Sequence, residues 1–569
     1  MNLPQFLKRV DKELASMSHE DLKVFAHEIA RTYPEDSRER FLQILTSKSK
    51  PKKNASLDDL NRIRQAFAEI NSGYRCLDSD DNPEAYDNYY NEDDYDNYRF
   101  YDSDKLLPEI EFAIKFIHKC IDSESYKDGY EVVKMLYDLE IRVNGAYYDV
   151  HDENLTFMDL FYYNILKNSY NILKNSFNDF MNEVMFLTYM NHELSERPEA
   201  MYSMITHFNY DKFKLENVMQ LGNKDLPEIN DFLSLWLNYL AGIDDDVTGL
   251  LLNAYSLLDN EEQQLQLADE FATKYPELYK RLLEESSADN EIKIQIGLKA
   301  LKAIPISKHI RSKIALLTAK YAIDSMDQPN IELCCFEAFK SDPTFSNYMR
   351  AKFSVLDWSK YASEVSRICK TNLSKSIDDF QDYSEQSKQK DYRGILFFEC
   401  DFDFVIEDCM KIKSPLDWAE TFMKEALFLF LLLLFEGEKL SRSLIEILSK
   451  VIDSLGFTSN LYPASMVSDS KNETFWNLFQ KWKKGLNISE KKREEWLRWL
   501  EDRINFRTIG LLEAKKYNRY SESAMLISAL GDVQASRGDK NFKLRKMVSY
   551  MEKYPTRKAF IRELDAYRS

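Results

Sequence analysis

The stretch FAHEIARTYP at residues 25–34 returns as LADEFATKYP at residues 267–276, with five of ten positions identical. A shorter copy, SYMEKYP, occupies residues 549–555. In each copy an amphipathic helical pattern stops at Tyr-Pro. Proline cannot donate the next helical hydrogen bond, and the residue before it is pushed out of the α region. A helix end that recurs in this form predicts a stack of helical hairpins.

Composition supports this prediction. The chain of 569 residues contains only 14 Gly and 14 Pro, whereas sheet proteins use both residues freely in their turns. Its 34 Tyr and 35 Phe supply ample apolar area for a core, which excludes wholesale disorder. We therefore predict an all-α fold in which degenerate helical-hairpin repeats form an α-solenoid-like array.

Changes in residue pattern divide the chain into five segments. They are an N-terminal helical segment, an acidic Tyr-rich linker or loop, a helical repeat array, a polar connection, and a C-terminal helical block, at residues 1–75, 76–107, 108–370, 371–394 and 395–569 respectively. The acidic segment holds eleven acidic residues and six tyrosines within residues 78–104. It is predicted to be a solvated linker, or alternatively a decoy for a basic partner.

The sequence predicts a cytoplasmic protein without a membrane span. Its N-terminus lacks the apolar core of a secretory signal, and seven scattered cysteines do not form a disulfide framework. The longest apolar run, ALFLFLLLLF at residues 426–435, is half the length needed to cross a bilayer. We expect that run to be a helix buried on all sides.

No pattern of catalytic or ligand-binding residues emerges. The sequence contains no Gly-rich phosphate loop, no GxSxG elbow and no paired His or Cys at zinc-ligand spacing. It therefore predicts a non-enzymatic protein with no cofactor and no metal.

One basic segment, KWKKGLNISEKKREEWLRWLEDRINFR at residues 481–507, has nine basic residues and three tryptophans. It is either an ordinary amphipathic helix with its tryptophans in the core, or a binding edge, since Trp and Arg are common interface anchors. The candidate partner-binding residues are Trp482, Lys491, Lys492, Arg493, Trp496, Arg498 and Trp499.

Charge is divided unevenly along the chain. Residues 481–569 hold 22 basic and 12 acidic residues, a local charge of +10; since the whole chain carries −19, residues 1–480 carry −29. The basic region either folds back onto acidic helices or stays open beside the tryptophans for an anionic partner. We expect the open form.

Three stretches resemble a known family: LASMSHEDLKVFAHEIARTYPEDSRERFLQIL at 14–45, IEFAIKFIHKCIDSESYKDGYEVVKMLYDLEIRVNGAYYD at 110–149, and YSESAMLISALGDVQASRGDKNFKLRKMVSYMEKYPTRKAFIREL at 520–564. They are similar to the tetratricopeptide-like helical region of large Gram-positive bacterial proteins that often carry a SWIM-type zinc finger. The Cys-x-Cys and Cys-x-His pairs of that finger are absent from this sequence. The resemblance thus implies a helical-repeat fold and no particular activity.

These observations favour a scaffold or adaptor that binds a protein or peptide partner. The first alternative is a nucleic-acid-associated protein that uses the basic residues 481–569. The second is an enzyme with an unrecognised site between helices, which a deep pocket joining a buried His to a carboxylate would indicate.

Overall fold

About 70% of the residues that the structure describes are helical, which confirms the all-α prediction. The computed structural model describes residues 3–32, 34, 38, 41–42, 55–81, 98–145, 154–162, 177–210, 212–222, 224–374, 383–418 and 421–568. The chain divides into two compact units, residues 1–267 and residues 268–569. This boundary falls inside the segment that was predicted to be one repeat array.

The first unit contains short strands as well as helices. Its helices are α1 (Leu3–Ser16), α2 (His19–Thr32), α3 (Leu57–Asn71), α4 (Leu106–Asp122), α5 (Tyr126–Tyr137), α6 (Asp159–Tyr162), α7 (Phe177–Asn191), α8 (Arg197–His207), α9 (Leu215–Met219), α10 (Ile229–Gly242), α11 (Thr248–Tyr255) and α12 (Glu261–Glu270), which crosses the boundary. Its strands are β1 (Leu77–Asp81), β2 (Tyr98–Tyr101), β3 (Glu140–Ile141), β4 (Val143–Gly145) and β5 (Leu155–Thr156).

The described part of the second unit is helical, with two single 3₁₀ turns at Ala464–Met466 and Tyr517–Arg519. Its α-helices are α13 (Glu277–Glu285), α14 (Asn290–Ala303), α15 (Ile310–Asp324), α16 (Gln328–Ser341), α17 (Phe345–Ser354), α18 (Ser359–Leu373), α19 (Tyr383–Phe398), α20 (Phe402–Met410), α21 (Met423–Leu434), α22 (Arg442–Ser454), α23 (Lys471–Lys484), α24 (Glu490–Glu513), α25 (Tyr520–Ser536), α26 (Phe542–Lys553) and α27 (Lys558–Asp565).

The three Tyr-Pro phrases each follow the end of a helix. α2 ends at Thr32, two residues before Pro34; α12 ends at Glu270 ahead of Pro276; and α26 ends at Lys553 ahead of Pro555. The helix ends within two residues of the proline in the first and third copies, as predicted, whereas in the second copy it ends six residues before Pro276, so the proline does not stop it there.

Packing within a hairpin is close where the sequence supplies a small residue. α4 and α5 pack against each other. Gly129 of α5 is buried where α5 contacts both α4 and α7. A Cβ atom at Gly129 would lie 2.9 Å from the Cys120 Cβ and 2.9 Å from a methyl group of Leu187. Only glycine fits there without displacing a neighbour.

The ends of the acidic segment are strands, which corrects the prediction of a linker or loop across residues 76–107. β1 pairs with β2 antiparallel and with β4 in parallel, giving a three-stranded sheet in the order β2-β1-β4. In this register Asp80 lies directly opposite Arg99, so a cross-strand cation faces one of the acidic side chains. Residues 82–97, the middle of the segment, lie outside the described residues.

The polar connection predicted at residues 371–394 is partly helical, contrary to the prediction. α18 continues to Leu373, and α19 begins at Tyr383, so the connection is helical over its second half. α19 then supplies Ile395, Leu396, Phe397 and Phe398 to the core. The polar residues at the start of α19 do not predict a helix; packing of the C-terminal end of α19 in the core stabilises it.

The apolar run forms a buried helix in the second unit, and its burial on all sides was predicted. Every residue of α21 from Glu425 to Leu434 is buried. The Phe430 ring makes edge contacts with Phe397, Trp496 and Trp499 at centroid distances of 5.1–5.2 Å. A helix with apolar residues on all sides is stable only where neighbours cover every face.

Candidate functional site

The tryptophans of the basic segment lie in the core of the second unit. Trp482 is 7% exposed, and its indole Nε1 donates a hydrogen bond to the carbonyl oxygen of Phe398 at 2.9 Å. Trp496 is 4% exposed and packs against Phe402 and Phe430. Trp499 packs against the same Phe430 ring. Of the two alternatives for the basic segment, the rings of Trp482 and Trp496 match the amphipathic helix with its tryptophans in the core, because they complete the packing around α21.

Two candidate cations are paired within the unit. Lys492 Nζ lies 2.9 Å from Asp403 Oδ1, and Arg493 NH1 lies 2.6 Å from Glu436 Oε1. These contacts correspond to the folded-back arrangement of the basic region, contrary to the open form that we expected. Only Lys491 and Arg498, among the candidate cations, are exposed on α24.

Other basic residues of the C-terminal region also have carboxylate partners. The ion pairs are Lys543–Asp532 at 3.2 Å, Arg545–Asp539 at 2.6 Å, Lys546–Glu501 at 2.6 Å, and Arg537 with both Glu436 and Glu490. Asp532, Asp539, Glu501 and Glu490 are already counted in the local charge of +10, so among the partners named for this region only Glu436 and Asp403 offset that excess.

Lys483, next to Trp482, acts as a cap. Its Nζ donates hydrogen bonds to the carbonyl oxygens of Leu432 and Phe435, at the C-terminal end of α21. A cation is favoured there because the last carbonyls of a helix are unsatisfied and carry partial negative charge. Burial lowers the pKa of Lys483 to about 8. Sequence reasoning missed this role, since the residue is one lysine in a basic run.

A different surface stands out at the N-terminus of the first unit. α2 is an amphipathic helix of fourteen residues, and none of its residues is buried. Leu22, Phe25, Ala26 and Ile29, which we call the α2 stripe, are spaced at i, i+3, i+4 and i+7 and so share one face. Leu22 is 37% exposed and Phe25 is 39% exposed.

The second copy of the same phrase behaves differently. Ala268 and Ala272, the counterparts of Ala26 and Ala30, are fully covered at 0% and 3% exposure. Ala26 and Ala30 are only partly covered. The pattern that forms core in the second copy therefore forms surface in the first. The sequence contained this stripe, but periodicity alone does not reveal whether a stripe is covered.

The second unit contains a cavity of about 630 Å³. It lies among α19, α21, α22, α24, α25 and the segments before α21 and α25. Six cations and three carboxylates line it: Lys390, Lys424, Lys450, Arg507, Lys516, Arg519, Asp417, Glu425 and Glu522. The remaining lining residues are Leu416, Trp418, Phe428, Ser454, Leu511 and Asn518. No sequence signal pointed to this cavity, because its residues come from places up to about 130 positions apart.

Glu522 is the hub of the cavity's ion pairs. Its carboxylate lies 3.1 Å from Arg507 NH2 and 3.7 Å from both Lys424 Nζ and Arg519 NH1. Arg507 also donates from NH1 to the carbonyl oxygens of Pro415 and Leu416, at 2.6 and 3.2 Å, and stacks over the Trp418 ring at 4.9 Å. These bonds fix one wall of the cavity.

Three buried polar atoms, on side chains that line the cavity, find no hydrogen-bond partner among the residues that the structure describes. They are Glu425 Oε2, Trp418 Nε1 and Arg507 Nε, on side chains that are between 1% and 4% exposed. Buried polar atoms are normally satisfied, and each exception requires an explanation. A ligand that supplies the missing donors and acceptors is one such explanation.

The described parts of the chain contain neither a cluster of metal-binding side chains nor a membrane-spanning helix. No group of three or more His, Cys, Asp or Glu side chains is placed to hold a metal ion. No described helix is long and apolar enough to span a bilayer.

Comparison with known proteins adds no assignment. No protein-family model matches the chain, and no curated protein matches it.

Proposed function

We propose that this protein is a non-enzymatic helical adaptor that binds a protein or peptide partner through the α2 stripe. The observation that carries the proposal is an amphipathic helix of fourteen residues without a single buried residue. Elsewhere the same sequence phrase is used as core. The difference supports a role for the stripe outside the chain's own packing.

Helix energetics explain why an uncovered stripe favours binding. A helix of this length is marginal on its own in water, and most helical stability in proteins comes from covering an apolar face. Docking the stripe into a partner's groove would supply that cover, with Leu22, Phe25 and Ile29 as anchors at the spacing typical of helix-in-groove recognition.

Two alternatives are less well supported. Nucleic-acid binding by residues 481–569 requires free cations, whereas Lys492 and Arg493 are engaged with carboxylates. An enzymatic site would be indicated by a pocket that joins a buried His to a carboxylate. The cavity of the second unit is lined by carboxylates and cations but by no His.

The adaptor proposal is tested by placing charge on the stripe. In the double variant Leu22→Glu with Phe25→Glu, capture of specific partners from cells that naturally make the protein should fall at least about tenfold, because losing two apolar anchors costs at least 1.4 kcal/mol. Quantitative mass spectrometry of affinity-captured proteins measures the effect. The helical content of the whole chain, measured by circular dichroism, should fall by no more than the fourteen residues of α2.

The matched control is the double variant Val24→Glu with His27→Glu, which places the same side chains on the opposite face of α2. Val24 is itself exposed, so the control also replaces an apolar surface residue. Its capture profile should equal that of the wild type. Equal capture by the stripe variant would overturn the proposal. Loss of self-association alone would assign the stripe to a second copy and would also contradict it.

A further inference from the structure

We propose that the cavity of the second unit binds a phosphorylated polyhydroxyl small molecule, the class that includes sugar phosphates and nucleotides. This inference goes beyond the adaptor function and does not depend on the α2 stripe. It rests on the charge, the unpartnered polar atoms and the size of one cavity.

The charged side chains that line the cavity favour an anionic ligand. Six cations and three carboxylates line the cavity, in a chain whose total charge is −19. Glu522 and Glu425 are occupied by Arg507, Lys424, Arg519 and Lys390. No ion pair to Lys450 or Lys516 is formed within the described part of the chain, and both are exposed at the cavity. A phosphate dianion matches these two free ammonium groups.

Glu425 distinguishes a polyhydroxyl phosphate from a bare phosphate. Its Oε1 accepts hydrogen bonds from Lys390 at 3.2 Å and from the Ser454 hydroxyl at 2.6 Å. Its Oε2 accepts none within the described residues. A carboxylate oxygen is repelled by a phosphate dianion but accepts a hydrogen bond from a hydroxyl. The ligand therefore carries hydroxyl donors as well as charge.

Two donors require an acceptor on the ligand. The Trp418 Nε1 and the Arg507 Nε belong to side chains that line the cavity, and both atoms are buried and have no acceptor in the described structure. Ring and hydroxyl oxygens accept such bonds without adding charge. Arg507 is held in place by Glu522 and by two backbone carbonyls, so its Nε is preorganised.

Size and apolar lining agree with this class. A volume of about 630 Å³ lies within the range of roughly 300–1,000 Å³ that is usual for small-molecule sites. Leu416, Phe428 and Leu511 give the cavity an apolar wall against which a sugar ring or a base would pack.

Isothermal titration calorimetry of the full chain tests the proposal. The test ligands are ribose 5-phosphate, glucose 6-phosphate and AMP, and the control ligands are ribose and inorganic phosphate, each measured alone. At least one of the three organic phosphates should bind at least about tenfold more tightly than either ribose or phosphate. The double variant Lys450→Glu with Lys516→Glu should weaken that binding at least about tenfold. The matched double variant Lys439→Glu with Lys558→Glu, at exposed sites outside the cavity, should leave it unchanged.

Glu425→Gln separates the hydroxyl contribution, since it should weaken binding of the organic phosphate while leaving inorganic phosphate unaffected. If Glu425→Gln does not fold, Trp418→Phe takes its place: it keeps the ring, removes the Nε1 donor and should weaken organic phosphate binding about threefold or more. The proposal is overturned if none of the three organic phosphates binds, if inorganic phosphate binds as tightly as they do, or if the Lys450/Lys516 variant binds like the wild type.

Discussion

Buried charges in the second unit are held by donors from distant parts of the chain. The Glu399 carboxylate, which is almost fully buried, accepts hydrogen bonds from Lys352 Nζ at 2.6 Å, from Trp358 Nε1 at 2.9 Å and from the Tyr348 hydroxyl at 2.5 Å. Its sequence context, FFECDF, gives no indication of these partners because they lie 41 to 51 residues earlier. Such satisfied networks make a buried carboxylate tolerable.

Asp391, on α19, gives a pH-dependent prediction. Burial raises the pKa of its carboxyl to about 7, with Asp342 adding to the rise and the Phe345 amide and Lys388 opposing it. The folded state therefore holds this proton more tightly than the unfolded state, whose pKa is near 3.8. Its contribution to stability is complete below about pH 4 and is lost as the pH rises through about 7.

The variant Asp391→Asn removes that titration while keeping an acceptor for the Phe345 amide. The melting temperature of the wild type minus that of the variant should be lower at pH 8 than at pH 5. Thermal melts followed by circular dichroism at the two pH values measure it. An identical difference at both values would show that Asp391 does not titrate in this range.

Individual elements were predictable where one physical effect dominated. The run at 426–435 is apolar on every side, so only a buried helix suits it, and α21 is that helix. β1 was not predictable because its sequence, LDSDD, contains three Asp residues that disfavour strands in isolation. Pairing with β2 and β4, from sites far along the chain, overrides that preference. Likewise, the polar start of α19 predicts a connection, because local composition does not show that the C-terminal end of this helix packs in the core.

The central position of α21 yields a stability prediction. Phe430→Ala should lower the free energy of unfolding by about 3–5 kcal/mol, since it removes a fully buried ring in contact with Trp496 and Trp499. Chemical denaturation followed by tryptophan fluorescence measures the change. The control Leu356→Ala, at a residue that is 84% exposed, should stay within about 0.5 kcal/mol of the wild type. A loss of less than 1 kcal/mol for Phe430→Ala would contradict the assignment of α21 as the core of the unit.

At the scale of the whole molecule, the distribution of charge and the uncovered apolar surface say more about function than any single sequence motif. The +10 region at residues 481–569 is partly neutralised within its own unit through pairs such as Lys492–Asp403 and Arg493–Glu436. Net charge by segment was readable from the sequence, but the pairing was not, since it depends on which helices adjoin. The same holds for the cavity, whose charged lining is assembled from separate helices.

An adaptor function requires above all that a different protein contacts the α2 stripe. A photo-crosslinking amino acid placed at Phe25, in cells that naturally make the protein, should give a covalent adduct with a second, unrelated protein. The same probe at Val24, on the opposite face of α2, should give at most about one tenth of that adduct. Mass spectrometry of the purified adducts identifies the partner and the site of attachment. No adduct from position 25, equal adducts from both positions, or an adduct only with a second copy of the chain would contradict the account.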